Sequence, residues 1–407
     1  MTHQSLDEAL KNTVAHAYEH SPVFKQRLAG LGLKPENVQT SADLSQIPVM
    51  TKDEALAIQQ ANPPFGGMLA VPLHKISHVF LSPGPLYEPT PNPDDPEWER
   101  GTEIMRQCGF VPGDIVLMSL SYHLVPAGYL FDTALVKLDC MVLPAGTGSS
   151  DLQLKMAQDL GATGYIGTPS FLMSLIQKAE EMGLDFRRDF KIRKATVSAE
   201  PLPPGLRARL ESYGLTVTNA YGTAEFGILA MSKTAAMDMQ LMAEPIIQVV
   251  DPDTGQDVGP GEVGEIVVTN FSHIYPLIRF GTGDMAVNVD PKPGESRQDE
   301  RGIILVGRRG DAVKVRGMFV HPNQVRFAAA SIPSILATQV IITRPDLRDD
   351  VTLRVEVEGG QGSEPLAQQI LAVFQAACRV KADRVEFLTP GTIDPKEPGV
   401  FDQRQWE

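Results

Sequence analysis

Leu215-Thr216-Val217-Thr218-Asn219-Ala220-Tyr221-Gly222-Thr223-Ala224-Glu225-Phe226-Gly227 closes a long alternation of short apolar runs and amphipathic segments. Its first four residues read as a buried strand, so the rest is expected where a strand gives way to a loop. Gly222 lets the backbone come close to a ligand. Tyr221 offers a flat ring, Thr223 a hydroxyl and Glu225 a carboxylate. A surface to stack a base, a partner for phosphate and a metal ligand together suit a nucleotide. Taken alone, the stretch also reads as an ordinary glycine turn with a solvated Glu.

Outward from this stretch the pattern is regular. Before it, residues 114–118, 141–143, 164–167 and 194–197 read as strands. Residues 128–138, 151–160, 169–182 and 204–213 read as the helices between them. Leu152, Met156 and Leu160 show the helical spacing, and Gly161 follows as a stop signal. Such alternation predicts a parallel sheet with helices on its faces. Ligands of these sheets bind outside the carboxyl ends of the strands. There the sequence places Ser121-Tyr122-His123, Pro144-Ala145-Gly146-Thr147-Gly148, Thr168-Pro169-Ser170, Ser198-Ala199-Glu200-Pro201 and Tyr221 to Glu225. They are small, polar and rich in glycine, which points to a pocket.

After Gly227 the texture changes. The runs 246–250 and 265–268 flank Asp251-Pro252-Asp253-Thr254-Gly255 and Gly259-Pro260-Gly261-Glu262, turn sequences that predict an antiparallel β unit. From Ala312 onward, strands 313–315, 337–342, 352–357 and 384–388 with helices 322–330 and 365–378 predict a small α+β lid. At the other end, Leu6, Leu10, Val14 and Ala17 are spaced for one helix face, and Ser21-Pro22 reads as the cap and first position of a second helix. Thr90 to Glu99 reads as a loop, with Pro96 at the first position of the helix that follows. The expected fold is α/β. A large N-terminal domain, residues 1–309, has a parallel sheet and helices plus the antiparallel β unit, and residues 310–407 form the α+β C-terminal lid domain.

Two further stretches sharpen the functional reading: Pro276-Leu277-Ile278-Arg279-Phe280-Gly281-Thr282-Gly283-Asp284, and Gly307-Arg308-Arg309-Gly310-Asp311-Ala312-Val313-Lys314-Val315-Arg316-Gly317. In this order and spacing the three stretches resemble the adenylate-forming enzymes, the acyl-CoA synthetases and their relatives. The Pro-x-Ile-Arg form of the second is most similar to the phenylacetate-CoA ligase branch. The resemblance spans nearly the whole chain, and the triple is far more specific than any one member. It implies an acid–CoA ligase that uses ATP, releases AMP and passes an acyl group to coenzyme A, with Mg2+. Glu225 would be the metal ligand and, with Thr223, part of the catalytic apparatus. Ser198, Ala199, Glu200, Tyr221, Gly222 and Thr223 would border the nucleotide. Asp284 would accept hydrogen bonds from the ribose hydroxyls, and Arg308 would contact the nucleotide. Tyr122, His123 and Gly146 would line the acyl pocket, Asp311 would be the hinge, and Lys396 is the nearest candidate for the catalytic lysine of the lid. For His123 the other reading is a core imidazole with its hydrogen bonds satisfied.

Bulk properties agree with a globular protein that works on small molecules. The chain has 407 residues, long enough for two domains. Its formal charge of -14 disfavours nucleic acid and anionic membrane surfaces as partners. Cys108, Cys140 and Cys378 show no metal-ligand spacing and fit a reducing cytoplasm. The N-terminus lacks the features of a signal peptide. Residues 115–131 are too interrupted for the roughly 20 apolar residues of a membrane span. The expected partners are a small, aromatic carboxylic acid and coenzyme A, and a homodimer is compatible with the reading.

The chain departs from the resemblance in three places. Ser82-Pro83-Gly84-Pro85-Leu86-Tyr87-Glu88-Pro89 stands where the family has a Ser/Thr/Gly-rich phosphate loop ending in Lys. Such a loop works by converging N–H groups and one ammonium. Three prolines here have no N–H, and Glu88 carries the opposite charge. Tyr87 is a candidate for the acyl side instead, and Arg279 and Lys314 are candidates for rebuilt phosphate contacts. The chain end, Pro390-Gly391-Thr392-Ile393-Asp394-Pro395-Lys396-Glu397, lacks the Gly-Lys pair of the family. Residues 231–239 hold neither the Cys nor the His pair often found there, so no zinc is expected. These departures keep a second reading open: a relative that binds AMP, an acyl-CoA or a partner without adenylating.

Overall fold

Leu6, Leu10, Val14 and Ala17 are buried on one face of α1 (His3–His20), where they pack with Phe24 and Leu28 of α2 (Pro22–Gly30). Ser21 caps α2 by accepting from the Phe24 N–H at 3.4 Å, with Pro22 in the first turn. The computed structural model describes residues 3–404 apart from 83–84, 235, 237, 310–312, 317, 321, 323–324, 326–327, 330, 347, 361, 379 and 396. Two units divide the chain: Met1–Gly167, Lys178–Ser198 and Arg207–Arg309 form the first, and Thr168–Gln177, Ala199–Leu206 and Gly310–Glu407 the second.

In the first unit β1 (Ile76–Ser82) and β2 (Leu86–Pro91) pair only with each other, antiparallel. The other strands are β3 (Ile115–Met118), β4 (Met141–Pro144), β5 (Gly164–Gly167), β6 (Lys194–Ser198), β7 (Thr216–Thr223), β8 (Gly227–Ser232), β9 (Met239–Leu241), β10 (Ile246–Val250), β11 (Val263–Thr269), β12 (Phe280–Val289) and β13 (Gly302–Arg308). They make one sheet of 11 strands in the order β10-β11-β12-β13-β9-β8-β7-β6-β5-β3-β4. From β7 to β4 the pairing is parallel, with helices Ala127–Lys137, Ser150–Asp159, Pro169–Glu181 and Pro204–Ser212 in the crossovers. Val116, Leu117 and Met118 of β3 and all of β5 are buried, as expected for strands covered on both faces.

The antiparallel unit is not a separate body but the other half of the same sheet. The switch falls at β7 and β8, because only Ala224, Glu225 and Phe226 lie between them. A parallel crossover needs about a dozen residues or more, so the chain must turn back. The motif therefore does not begin where a strand ends: β7 runs through Tyr221 to Thr223. Gly222 is glycine for the same reason. A Cβ there would stand 2.5 Å from the Gly227 carbonyl oxygen, so its close neighbour is the returning strand.

Three other local readings are corrected. Gly281-Thr282-Gly283-Asp284 is part of β12, not a turn. The Ser82–Pro89 segment is not an open loop: Ser82 faces Leu86 and Phe80 faces Glu88 across the β1–β2 hairpin. Proline is tolerated at such an edge, where a missing N–H breaks no ladder bond. The helix after it is Trp98–Gln107, and Pro96 lies in the turn before it, accepting from the Glu99 N–H at 3.0 Å.

The second unit has a four-stranded sheet built from Ile335–Thr343, Asp350–Val357, Arg384–Leu388 and Val400–Asp402, with a hairpin of Val313–Val315 and Met318–Val320. Its helix Glu364–Cys378 buries Ile370, Phe374 and Cys378 against that core. Glu356 accepts from the N–H groups of Gly391 at 3.0 Å and Ile393 at 2.5 Å, which fixes the Pro390-Gly391-Thr392 turn. Asp311, Lys396 and most of the expected helix 322–330 lie outside the described residues, as does the Lys314 side chain.

Candidate active site

The β7–β8 hairpin and the β12–β13 pair bring the first candidates together. Asp284 and Arg308 face each other in register. Arg308 Nε donates to Asp284 Oδ1 at 2.8 Å, and the Tyr221 hydroxyl donates to Asp284 Oδ2 at 2.9 Å. Burial, with Asp284 beside it, pushes the Tyr221 phenol well above its ordinary pKa, so it stays a donor. Asp284 therefore does not satisfy a turn of its own. It is a carboxylate held by two side chains from separate strands.

Glu265 and Arg309 extend this cluster, and the sequence reading missed them. Arg309 Nη1 donates to Glu265 Oε2 at 2.8 Å, and Glu265 Oε1 accepts from the Gly283 N–H at 3.0 Å. The Arg309 N–H donates to the Gly283 carbonyl at 2.7 Å. Glu265 thus ties the Gly-Asp segment of β12 to the end of β13.

The second cluster forms around Glu225, whose side chain is 0 % exposed. Lys52 Nζ stands 2.7 Å from Glu225 Oε1. Lys52 opens α3 (Lys52–Ala61), whose first turn is fixed by a capping box between Thr51 and Glu54. Burial alone would raise the Glu225 carboxyl, but Lys52, helped by the Glu225 backbone and the Thr223 hydroxyl, outweighs it and holds the group below the ordinary carboxylate range. Apart from the ammonium of Lys52, both Glu225 carboxylate oxygens and the Thr223 hydroxyl are buried and have no hydrogen bond of good geometry. A carboxylate and a hydroxyl so placed are hard oxygen donors of the kind a divalent cation takes.

Glu88 lies against this second cluster. Buried in β2, it accepts from the Ser82 hydroxyl at 2.9 Å. Burial and then the nearby Glu225 push its carboxyl well above the ordinary 4.5, against the pull of Ser82 and Lys52. A carboxyl raised on folding binds its proton more tightly in the folded state. Its contribution to stability is therefore lost as pH rises above 4.5 toward the folded-state value. Glu88→Gln mimics the protonated form and keeps an acceptor for Ser82. In metal-free buffer the variant should melt above the wild type at about pH 8, by roughly 2–4 °C per kcal/mol of relieved charge, with the gap closing toward about pH 5. A gap that does not change with pH would contradict a strained, buried Glu88.

Ser198 ends β6 opposite Ala220. Ala199 and Glu200 belong to the second unit, where Glu200 Oε2 accepts from the Ser170 hydroxyl at 2.5 Å. Ala199 holds a left-handed φ of 76°. The Tyr122 hydroxyl donates to Asp132 at 2.7 Å, and the Gly146 carbonyl accepts from Gln153 at 2.9 Å. His123 is exposed, which removes the reading of a core imidazole. Its loop reaches the hairpin, since the Leu81 N–H donates to the Leu124 carbonyl at 2.7 Å. Tyr87 has its backbone clamped by both ends of the Gln59 amide and leaves its ring exposed. Arg279 is not a phosphate contact: it is 1 % exposed, with its guanidinium on the carbonyls of Leu44, Ile47 and Gly255.

Comparison with known proteins agrees with this geometry at the level of class. The family model for the AMP-binding enzymes matches residues 99–272. The chain is 27 % identical to the phenylacetate-coenzyme A ligase of Aromatoleum evansii over 90 % of its own length and 84 % of the relative. It is 26 % identical to the Pseudomonas putida enzyme of the same name over 98 % and 93 %. In fold it is similar to 2-hydroxyisobutyryl-CoA ligase in complex with 2-HIB-AMP and CoA, with a TM-score of 0.88 at 24 % identity over 99 % of this chain and 90 % of that one. What the chain is similar to is thus the AMP-binding enzymes and, along most of its length, CoA ligases, which supports AMP-forming acid–CoA ligase chemistry. Among the described residues no helix is long and apolar enough to cross a membrane.

Proposed function

We propose that this protein is an AMP-forming acid–CoA ligase of the phenylacetate-CoA ligase type, acting on a small aromatic carboxylic acid in the cytoplasm. The observation that carries the reading is the pairing of two clusters on one hairpin. Tyr221 joins Asp284 and Arg308, and two residues on, Thr223 and Glu225 present buried oxygens beside the Lys52 ammonium. The similarity to phenylacetate-coenzyme A ligases along nearly the whole chain supports the same reading.

In the first half-reaction an oxygen of the acid attacks the α-phosphorus of ATP, and pyrophosphate leaves with the electrons of the broken P–O bond. Asp284 would orient the ribose through its hydroxyls, with Arg308 and Tyr221 fixing the carboxylate. The backbone of Ser198, Ala199 and Glu200 would border the adenine. Thr223 and Glu225 would hold Mg2+, which when bound offsets charge spreading over the phosphate oxygens. In the second half-reaction the thiolate of coenzyme A attacks the acyl carbon and AMP leaves. Tyr87, Tyr122, His123 and Gly146 would face the acyl group, Asp311 would serve as the hinge between domains 1–309 and 310–407, and Lys396 would act in the first half-reaction.

The test is ATP–pyrophosphate exchange across a panel of aliphatic and aromatic acids, with thioester formation followed in parallel. Exchange with an aromatic acid and formation of its CoA ester are the expected results. Binding of AMP without exchange for any acid would favour the second reading, a non-adenylating relative, for which the proline-rich β1–β2 hairpin speaks.

Asp284→Ala tests the nucleotide side directly. AMP affinity, measured by calorimetry, should fall by about 1.5–3 kcal/mol, the scale of a hydrogen bond to a charged group. Unchanged affinity would remove Asp284 from the site.

A further inference from the structure

The Ser82–Pro89 segment has no cation to offer a phosphate, yet the structure places an ammonium at the hairpin that carries Thr223 and Glu225. Lys52 Nζ reaches Glu225 Oε1 at 2.7 Å from the first turn of α3. The position is firmly built. The Met50 N–H donates to the Arg279 carbonyl and the Gly281 N–H to the Met50 carbonyl, both at 2.9 Å, so the segment before α3 is bridged to β12. Thr51 and Glu54 then fix the turn that projects Lys52. The Lys52 side chain is 25 % exposed, whereas Glu225 is fully buried. The ammonium therefore spans the space between a buried carboxylate and solvent. Among the described residues, Arg308 is engaged by Asp284, Arg309 by Glu265, and Arg279 by backbone carbonyls.

The contact with Glu225 shows where the ammonium rests. A short, mobile cation on a flexible stem can exchange a carboxylate for a phosphate oxygen without moving the backbone.

We propose that Lys52 is the phosphate-binding cation of this enzyme, supplied by α3 in place of the β1–β2 hairpin and held against Glu225 until the pyrophosphate end of ATP takes it. This rests on the ligase reading above for its role in the reaction, but the phosphate site itself does not require turnover.

The test uses the full chain in two arms. In the first, amine acylation of Lys52 in the wild type is mapped by mass spectrometry with no addition, with magnesium pyrophosphate, and with adenosine. Pyrophosphate should protect Lys52 at least about threefold, and adenosine should not. In the second, Lys52→Met and Lys52→Arg are compared in ATP–pyrophosphate exchange, with thermal melting as the check on folding. Lys52→Met should raise KM for ATP and pyrophosphate about tenfold and leave KM for the acid within about twofold, with Lys52→Arg in between. A folded Lys52→Met with an unchanged KM for ATP overturns the inference and leaves the ligase reading standing. So does exchange-active wild type in which pyrophosphate gives no protection, which also decides the matter if Lys52→Met fails to fold. Absence of exchange in the wild type with every acid sinks the ligase reading instead. Protection by pyrophosphate in that case still supports Lys52 as a phosphate site.

Discussion

Arg279→Ala is expected to lower the melting temperature by on the order of 10 °C, because it removes the charge that ties the N-terminal segment to the sheet. The guanidinium is 1 % exposed. Nη1 donates to the carbonyls of Leu44 at 3.0 Å and Ile47 at 2.6 Å, and Nη2 to Gly255. Three carbonyls from two separate loops lose their donor in the variant, and a cavity the size of the side chain remains. Breaking a buried charged contact of this kind costs about 3–5 kcal/mol, and each kcal/mol shifts melting by roughly 2–4 °C in a domain of 150–250 residues. Burial holds the Arg279 pKa below its ordinary value, with Asp257 the nearby opposing charge, so the site is expensive to keep ionised and more expensive to leave empty. Arg279→Lys should recover only part of the loss, since one ammonium cannot span three carbonyls in a fixed fork. The backbone adds a second constraint: Arg279 holds a left-handed φ of 55°. A variant melting within 2 °C of the wild type would mean that the clamp contributes little.

That clamp also marks where local sequence reading stops. Pro276-Leu277-Ile278-Arg279 is a recognisable stretch, but a free arginine beside a nucleotide and a buried arginine on backbone carbonyls look the same in sequence. The alternation from Ile115 to Thr218 was legible because apolar spacing reports local structure directly, and it placed Ser198 at a strand end, but it ended β7 too early, since that strand runs on through Tyr221 to Thr223. Asp284 and Arg308 were legible as parts of long motifs, though not their pairing, which depends on register between β12 and β13. Lys52 shows the gap most clearly. Thr51-Lys52-Asp53-Glu54 carries the capping-box pattern, enough to set it in the first turn of a helix. Nothing local says that the turn points at Glu225. The three prolines suggest a loop around Glu88, whose charge would repel a phosphate. A two-stranded hairpin accepts Pro89 within β2 and turns Glu88 inward.

Glu225→Gln should reduce ATP–pyrophosphate exchange about a hundred- to a thousandfold, the range seen when one preorganised electrostatic contact to a transition state is lost. The substitution keeps the shape of the side chain and removes its charge. In the wild type the carboxylate is fully buried, is kept ionised by Lys52, and has no well-formed hydrogen bond at either oxygen. Those features are hard to justify by stability alone, since burying a carboxylate is costly even beside one ammonium. They suit a ligand for Mg2+, whose charge would complete the site together with the Thr223 hydroxyl. A neutral amide offers one weaker oxygen, so the magnesium concentration for half-maximal exchange should rise as the rate falls. AMP affinity should change less than about threefold, because on the proposed reading AMP would be held by the separate Asp284 and Arg308 pair, where one hydrogen bond to the charged group would be worth about 1.5–3 kcal/mol. Folding is a separate question that melting answers. Lys52 is 25 % exposed and can turn its ammonium to water when Glu225 is neutral, so the variant should remain folded. Exchange within threefold of the wild type would remove Glu225 from the chemistry. An equal loss of AMP affinity and exchange would show instead that the two clusters act as one binding site, with no distinct role for Glu225 in the transfer of the phosphoryl group.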